Sequence, residues 1–356
     1  MEVLKNDAEL KSFVIDDVRQ PSDAPQTLGS GSYGSVELLE VGAYGLKCAG
    51  KLLHSALVEA GNEGVEHIKS KFVNECKLMS SLRHPNIVQF LGICFLPNSK
   101  DLPILLMEHM ITNLDSLLET HQDVALSVKV SILCDVAQGL AYLHSHSPPV
   151  IHRDLTATNV LLNSALSAKI TDFGNSRLVD ISPDQLAKTM TCVPGTLVYL
   201  PPEALNPKPK YDEKLDSFSY GQLALYTVTQ TFPMPSAPTY MDAETNKVMA
   251  RTEVERREEF LQSLETKIGE HPKIYQLVTD CLCNDPTKRP SSLQILGTIR
   301  ELKEITGNSD TAMLYKHILQ KKDGLLSEEL GTSLKPNLLE VNNVNVIISL
   351  ISRFRS

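Results

Sequence analysis

Tryptophan is absent from this chain, no cysteines stand in a Cys-x-x-Cys pair, and no apolar run approaches the roughly 18 residues of a membrane span. The nearest apolar run, Val344 to Ile351, is too short. Cys48, Cys76, Cys94, Cys134, Cys192, Cys281 and Cys283 are odd in number and scattered. That pattern gives zinc binding little support and points to buried free thiols in a reducing compartment. Basic residues are outnumbered: 34 Lys and Arg against 43 Asp and Glu leave a formal charge of -9. This balance argues against general nucleic-acid affinity and disfavours an anionic membrane surface. Residues 1–19 carry Glu2, Asp7, Glu9, Asp16 and Asp17 and no apolar signal core. A cytoplasmic location without an integral membrane segment is therefore expected. No internal repeat is visible.

What is present is ordinary in bulk. The 356 residues exceed a typical domain of about 100 to 200, so two lobes or domains are expected. A hydrophobic share of 42% and a charged share of 22% suit a soluble enzyme with a large core.

The information lies in short motifs and their order. Ile151-His152-Arg153-Asp154-Leu155-Thr156-Ala157-Thr158-Asn159 precedes Thr171-Asp172-Phe173-Gly174. Phosphoryl transfer demands positioning, neutralisation by magnesium and a carboxylate facing the acceptor hydroxyl. Asp154 suits the carboxylate role, and Asn159 and Asp172 offer the hard oxygens that magnesium takes. Taken singly, each is equally well a loop Asp or Asn bonding its neighbouring backbone. Upstream, Leu28-Gly29-Ser30-Gly31-Ser32-Tyr33-Gly34-Ser35-Val36 fits Gly-x-Gly-x-x-Gly-x-Val. A dinucleotide fingerprint shares this spacing, but its glycines follow a strand and open a helix. Here Ser35 to Val41 reads as a strand, Gly42 to Gly45 as a turn, and the next apolar stretch ends at Lys51. The glycines taken alone fit an ordinary Gly/Ser hairpin equally well. Lys51 lies in an apolar strand and needs a partner. Glu75 offers one, on a run where Phe72, Cys76, Met79 and Leu82 recur at helical spacing. Leu105-Leu106-Met107-Glu108-His109-Met110 reads as an apolar strand that turns polar.

The ordered set resembles the eukaryotic protein kinase domain. The resemblance continues through Gly195-Thr196-Leu197-Val198-Tyr199-Leu200-Pro201-Pro202-Glu203, Asp216 and Arg289. It implies an α+β, bilobal protein kinase fold: a small antiparallel β-sheet lobe with one main helix, and a larger, mostly helical lobe. It further implies ATP and Mg2+ as cofactors and protein substrates as partners. Asp154 would face the acceptor hydroxyl, Asn159 and Asp172 would hold metal, and Lys51, oriented by Glu75, would bind the α- and β-phosphates. Leu28, Gly29, Gly31 and Gly34 would cover the nucleotide. Val36, Ala49 and Leu161 would sandwich adenine, Met107 would be the gatekeeper, and Glu108 to Met110 would offer backbone groups. Glu203 would pair with Arg289, and Asp216 would cap the back of the catalytic loop. Leu282 and Phe218 stand where related kinases often have tryptophan.

Domain limits follow from motif order. Residues 1–24 read as an N-terminal extension with an apolar patch at Phe13-Val14-Ile15. Residues 25–304 read as the kinase domain, divided into small (25–108) and large (109–304) lobes. Residues 305–356 form a tail of no recognised type. Leu114 to Leu118, Val128 to His144 and Leu293 to Ile305 read as helices. Gly195-Thr196 before Tyr199 resembles serine/threonine kinases, and Ser147-Pro148-Pro149-Val150 running into Ile151-His152-Arg153-Asp154-Leu155 resembles the tyrosine-kinase-like group, which mostly phosphorylates Ser and Thr. The catalytic loop departs from the family: Thr156 and Thr158 occupy positions where a cation is usual. That departure supports a rival reading, a pseudokinase or scaffold that binds nucleotide with little turnover. A tyrosine-specific kinase and a small-molecule phosphotransferase on the same fold also stay open. Gly50 replaces a usual branched residue and is expected to loosen its strand. Phosphorylation of Thr189 or Thr191, read by Arg153, is an expected route of regulation.

Overall fold

The computed structural model describes residues 11–21, 26–31, 34–53, 62–96, 103–178, 199–205, 212–230 and 271–306. Expectations for Ser32, Tyr33, Thr189, Thr191, Cys192, Gly195 to Val198 and residues 307–356 lie outside the described residues.

The small lobe is built on an antiparallel sheet of β1 (Val18–Arg19), β2 (Thr27–Gly31), β3 (Gly34–Val41), β4 (Leu46–Leu53), β5 (Phe90–Cys94) and β6 (Ile104–Glu108). The strand order is β1-β3-β4-β6-β5, with β2 also on β3. Gly42 and Gly45 carry φ of +73° and +63° in the β3–β4 turn, a backbone region that glycine enters without steric cost. Helix α1 (Asn62–Ser81) turns Phe72, Cys76 and Met79 inward, as their spacing predicts, and Leu82 is buried just past its end. Cross-strand partners share a face of the sheet. Val36 pairs with Lys51 and Ala49 with Met107, so these four residues lie on one face. The opposite face carries a buried cluster of Leu39, Val41, Cys48, Cys94, Ile104 and Leu106.

The large lobe follows with β7 (Thr112–Asn113), α2 (Leu114–Thr120), α3 (Leu126–His144), β8 (Val150–Ile151), β9 (Val160–Leu162), β10 (Ala168–Ile170) and β11 (Arg177–Leu178). After these come α4 (Lys214–Thr229), α5 (Pro272–Cys281) and α6 (Ser292–Thr306). Asn113 caps α2, its side-chain oxygen accepting from Ser116 N, and thus satisfies one donor of the helix end. Every residue of α4 from Leu215 to Thr227 is buried, polar ones included. Such a helix must satisfy its polar groups internally. Ser219 Oγ donates to Tyr199 O at 2.9 Å, and Tyr220 OH to Leu133 O at 3.1 Å. By length and composition alone α3 could cross a membrane, but 72% of its most apolar window is buried inside the protein. It packs against α6, α4 and β10 as the core helix of this lobe. Five described cysteines are buried free thiols, and Cys283 is half-buried.

Gly50 behaves differently from expectation. Its pairing is unbroken, with Glu37 on one side and Leu106 on the other. A Cβ there would lie 2.4 Å from Leu39 Cδ1 and 3.0 Å from Ile104 Cγ2. The missing side chain is thus replaced by Leu39, and the strand is tightly packed. Gly50→Val should cost about 1–3 kcal/mol through overpacking. Denaturant unfolding of Gly50→Val, with and without Leu39→Ala, checks this: the second substitution should recover part of the loss, and a Gly50→Val variant as stable as the parent would disprove the packing account.

Candidate active site

Lys51 is the meeting point of the two lobes. Its Nζ donates to Glu75 Oε1 at 2.8 Å and to Asp172 Oδ1 at 2.9 Å. Burial alone would push the ammonium toward neutrality, but Asp172 and Glu75 outweigh it and raise the Lys51 pKa. Glu75 is raised by burial, against the pull of Lys51. Asp172 is lowered, chiefly by the Lys51 charge. One cation thus ties β4, α1 and the turn after β10.

The catalytic-loop residues are held from behind by Asp216. This carboxylate, wholly buried, accepts from His152 N at 2.8 Å and Arg153 N at 2.9 Å and contacts His144 Nε2 at 2.9 Å. Burial would raise its pKa, but the His144 bond and charge and the remaining donors hold it below the ordinary range. His152 Nε2 lies 2.9 Å from Thr171 O while its Nδ1 accepts from Asp154 N at 3.3 Å. The pattern fits a neutral imidazole carrying its proton on Nε2. The His152 ring also meets Phe173 edge-on at 5.1 Å. Arg153 and Asp172 have φ of +68° and +64°, left-handed conformations that cost about 1–3 kcal/mol each and persist only where surroundings impose them.

Asn159 Nδ2 donates to Asp154 O at 2.8 Å, and Thr171 N donates to Asn159 O at 3.0 Å. The Asn159 amide nitrogen is therefore spent inside the loop, and its Oδ1 is the atom left for a cation. Asp172 likewise gives Oδ1 to Lys51 and keeps Oδ2. An all-oxygen donor set of this kind fits magnesium. Thr156 and Thr158 bond each other through their hydroxyls at 2.8 Å, and Thr156 is buried.

A protein kinase domain model matches residues 23–299. The chain belongs to the protein kinase domain family. It is 30% identical over 300 residues to the LRR receptor-like serine/threonine-protein kinase RGI1 of Arabidopsis thaliana, covering 82% of this chain and 26% of that one. It is 32% identical over 290 residues to the probable serine/threonine-protein kinase drkA of Dictyostelium discoideum, covering 80% and 40%. The serine/threonine-protein kinase CTR1 of Arabidopsis thaliana is 29% identical over 279 residues, covering 78% and 31%. The chain thus matches about a quarter to two-fifths of these relatives' lengths. The fold is the bilobal α+β fold of the family, and a kinase domain implies ATP.

The end of β6, where the resemblance puts the hinge, makes contacts that the motifs do not mark. Lys169 Nζ donates to Glu108 Oε1 at 2.7 Å and Oε2 at 2.9 Å, and Gln89 N donates to the same Oε1 at 2.8 Å. The Glu108 N–H is itself given to Gln89 O at 3.0 Å, which withdraws that donor from the backbone groups expected to meet adenine. Lys169 carries the same signal in sequence as Lys51, a lysine between apolar Ala168 and Ile170. Met107, Ala49 and Met110 are buried, Val36 and Leu161 half-buried, and Leu28 and Gly29 exposed. Gly31 pairs with Gly34 in the β2–β3 hairpin. In the large lobe Arg289 forks onto Glu203, with Nη2 to Oε2 at 2.9 Å, and its guanidinium lies 4.9 Å above the Phe218 ring.

The lowered pKa of Asp216 sets a sign. An unfolded aspartate titrates near about 3.9, so the stability contributed by Asp216 is complete above that pH and is lost as pH falls through the lower folded value. Asp216→Asn should destabilise the kinase domain at neutral pH and make its stability fall less steeply on acidification. Urea unfolding across the range from neutral to acid pH measures both effects; parallel curves for variant and parent would contradict the assignment.

Proposed function

We propose that this kinase domain transfers the γ-phosphoryl group of Mg-ATP to serine and threonine hydroxyls of protein substrates. The observation that carries the reading is Lys51 bonded at once to Glu75 and Asp172. A half-buried ammonium so placed is oriented and charged without help from the ligand. Lys51 then binds phosphate oxygens, and Glu75 keeps it from turning away. Asp154 receives the proton of the acceptor hydroxyl, which fixes its direction of attack. Asn159 Oδ1 and Asp172 would hold magnesium, which when bound would neutralise charge on the phosphate oxygens. Val36, Ala49, Met107 and Leu161 enclose adenine, while Leu28, Gly29, Gly31 and Gly34 cover the phosphates and exclude water. Serine and threonine specificity draws support from the names of the relatives above. Cytoplasmic placement is part of the same reading, supported by the buried free thiols.

The first test is transfer of labelled γ-phosphate to the chain and to mixed Ser, Thr and Tyr peptides, with Asp154→Ala as control. Label on Ser or Thr that vanishes in the control supports the reading, and label on Tyr overturns the acceptor class. Nucleotide binding without transfer would make the domain a scaffold. The hydroxyl pair Thr156–Thr158 brings no charge to the γ-phosphate. Supplying one through Thr158→Arg, on an exposed residue, should raise kcat about ten- to a hundredfold, within the range of single electrostatic stabilisers. Steady-state kinetics at saturating ATP reads this directly; an unchanged kcat would mean that the missing cation does not limit transfer.

A further inference from the structure

The match to the kinase family begins at residue 23, and the motif order leaves residues 1–24 outside the small lobe. The chain nevertheless enters the sheet before that point, and does so twice. Val14 bridges Ile93 of β5 in parallel: Ile15 N donates to Ile93 O at 2.8 Å, and Ile93 N to Phe13 O at 2.9 Å. A few residues later β1 pairs with β3, through Val18 with Val41 and Arg19 with Glu40. In the path β3-β4-β6-β5 these two partners are the opposite ends. A segment bonded to both therefore reaches from one end of that path to the other, taking the part of β3 that β2 leaves. Open edges leave rows of unpaired N–H and C=O groups, and the segment satisfies some of them.

The side chains match the backbone. Ile15 and Val18 pack on the buried cluster around Leu39 and Ile104, and the Phe13 ring meets Phe90 edge-on at 5.4 Å. Asp17 O accepts from Gly42 N at 2.9 Å. The seat is cut to fit: a Cβ at Gly92 would lie 2.6 Å from Phe13 O and 2.8 Å from Ile15 Cδ1. Any side chain at 92 would push the segment off β5.

We infer that Phe13 to Arg19 is a strand of the catalytic unit, and that its docking positions the hinge for nucleotide. The path is short. Phe90, on which Phe13 packs, is the register partner of Met107. Its neighbour Gln89 exchanges backbone and side-chain bonds with Glu108. Fixing β5 from outside fixes Met107 and Glu108 inside, so Phe13 and Ile15 are positioning residues for the nucleotide. Coupling of this kind is reciprocal: nucleotide must tighten the segment as much as the segment tightens nucleotide.

The nucleotide half of this inference rests on the function proposed above, and the test separates the two. Two full-length variants are compared with the parent. Phe13→Ala with Ile15→Ala removes the anchors, and Gly92→Ala blocks the seat while leaving the segment intact. In both, Kd for a fluorescent ATP analogue and KM for ATP should rise about tenfold, a size usual for coupled sites. The kcat at saturating ATP should stay within about twofold, because the Asp216 hold on the catalytic loop is untouched. In the parent, hydrogen exchange at the Ile15 and Ile93 amides should slow when the analogue binds, a readout that needs no variant to fold. Parental affinity in both variants, a lowered kcat at unchanged KM, or Ile15 exchange indifferent to nucleotide would each overturn the positioning role. Should the parent bind no nucleotide, the proposed function fails, and the unfolding midpoint decides the rest. A lower midpoint in Gly92→Ala upholds the strand, and an unchanged one removes it.

Discussion

One half-buried ammonium group constrains the rest of this molecule. Lys51 lies on the sheet face that also carries Val36, Ala49 and Met107, and a charge there is tolerated only with partners. Those partners come from α1 and from the turn after β10, 24 and 121 residues away in sequence. Satisfying one charge therefore fixes three segments that local structure would leave independent. The Lys51 ammonium, and not its two carboxylates, is the group that attracts an anionic ligand.

The large lobe answers with the opposite charge. Asp216 sits in a helix buried on every side, and its donors are backbone amides of the catalytic loop and a histidine ring. Ionised carboxylates with several donors are stable in such places, and removing donors leaves a costly remainder. The left-handed backbone at Arg153 and Asp172 is held by these bonds and by the His152 ring wedged between Thr171 and Phe173. Strain is stored beside Asp154 and at Asp172, and a buried helix beneath supplies the restraint.

Much of this is legible in the sequence, for a physical reason. Residue types suited to phosphate are few and their order in the kinase motifs is fixed, so Lys51, Glu75, Asp154, Asn159 and Asp172 stand out as candidates. Glu203 with Arg289 and Asp216 with the catalytic loop are likewise readable. What stays hidden depends on contacts between distant segments. Phe13 to Ile15 is too short to signal a strand, and its partner β5 lies about eighty residues on, beyond any local periodicity. Gly50 reads as slack because its empty space is filled by Leu39 from another strand. Lys169 passes unnoticed because its partner Glu108 reads as a contact for adenine.

The small-lobe sheet has no slack at two points. At Gly50 and again at Gly92 there is no room for one added carbon, on two different strands. Hydrostatic pressure unfolds proteins by collapsing internal voids, and its leverage scales with the void volume removed. Around these two glycines it finds little to collapse. Compression should therefore gain little from these two positions.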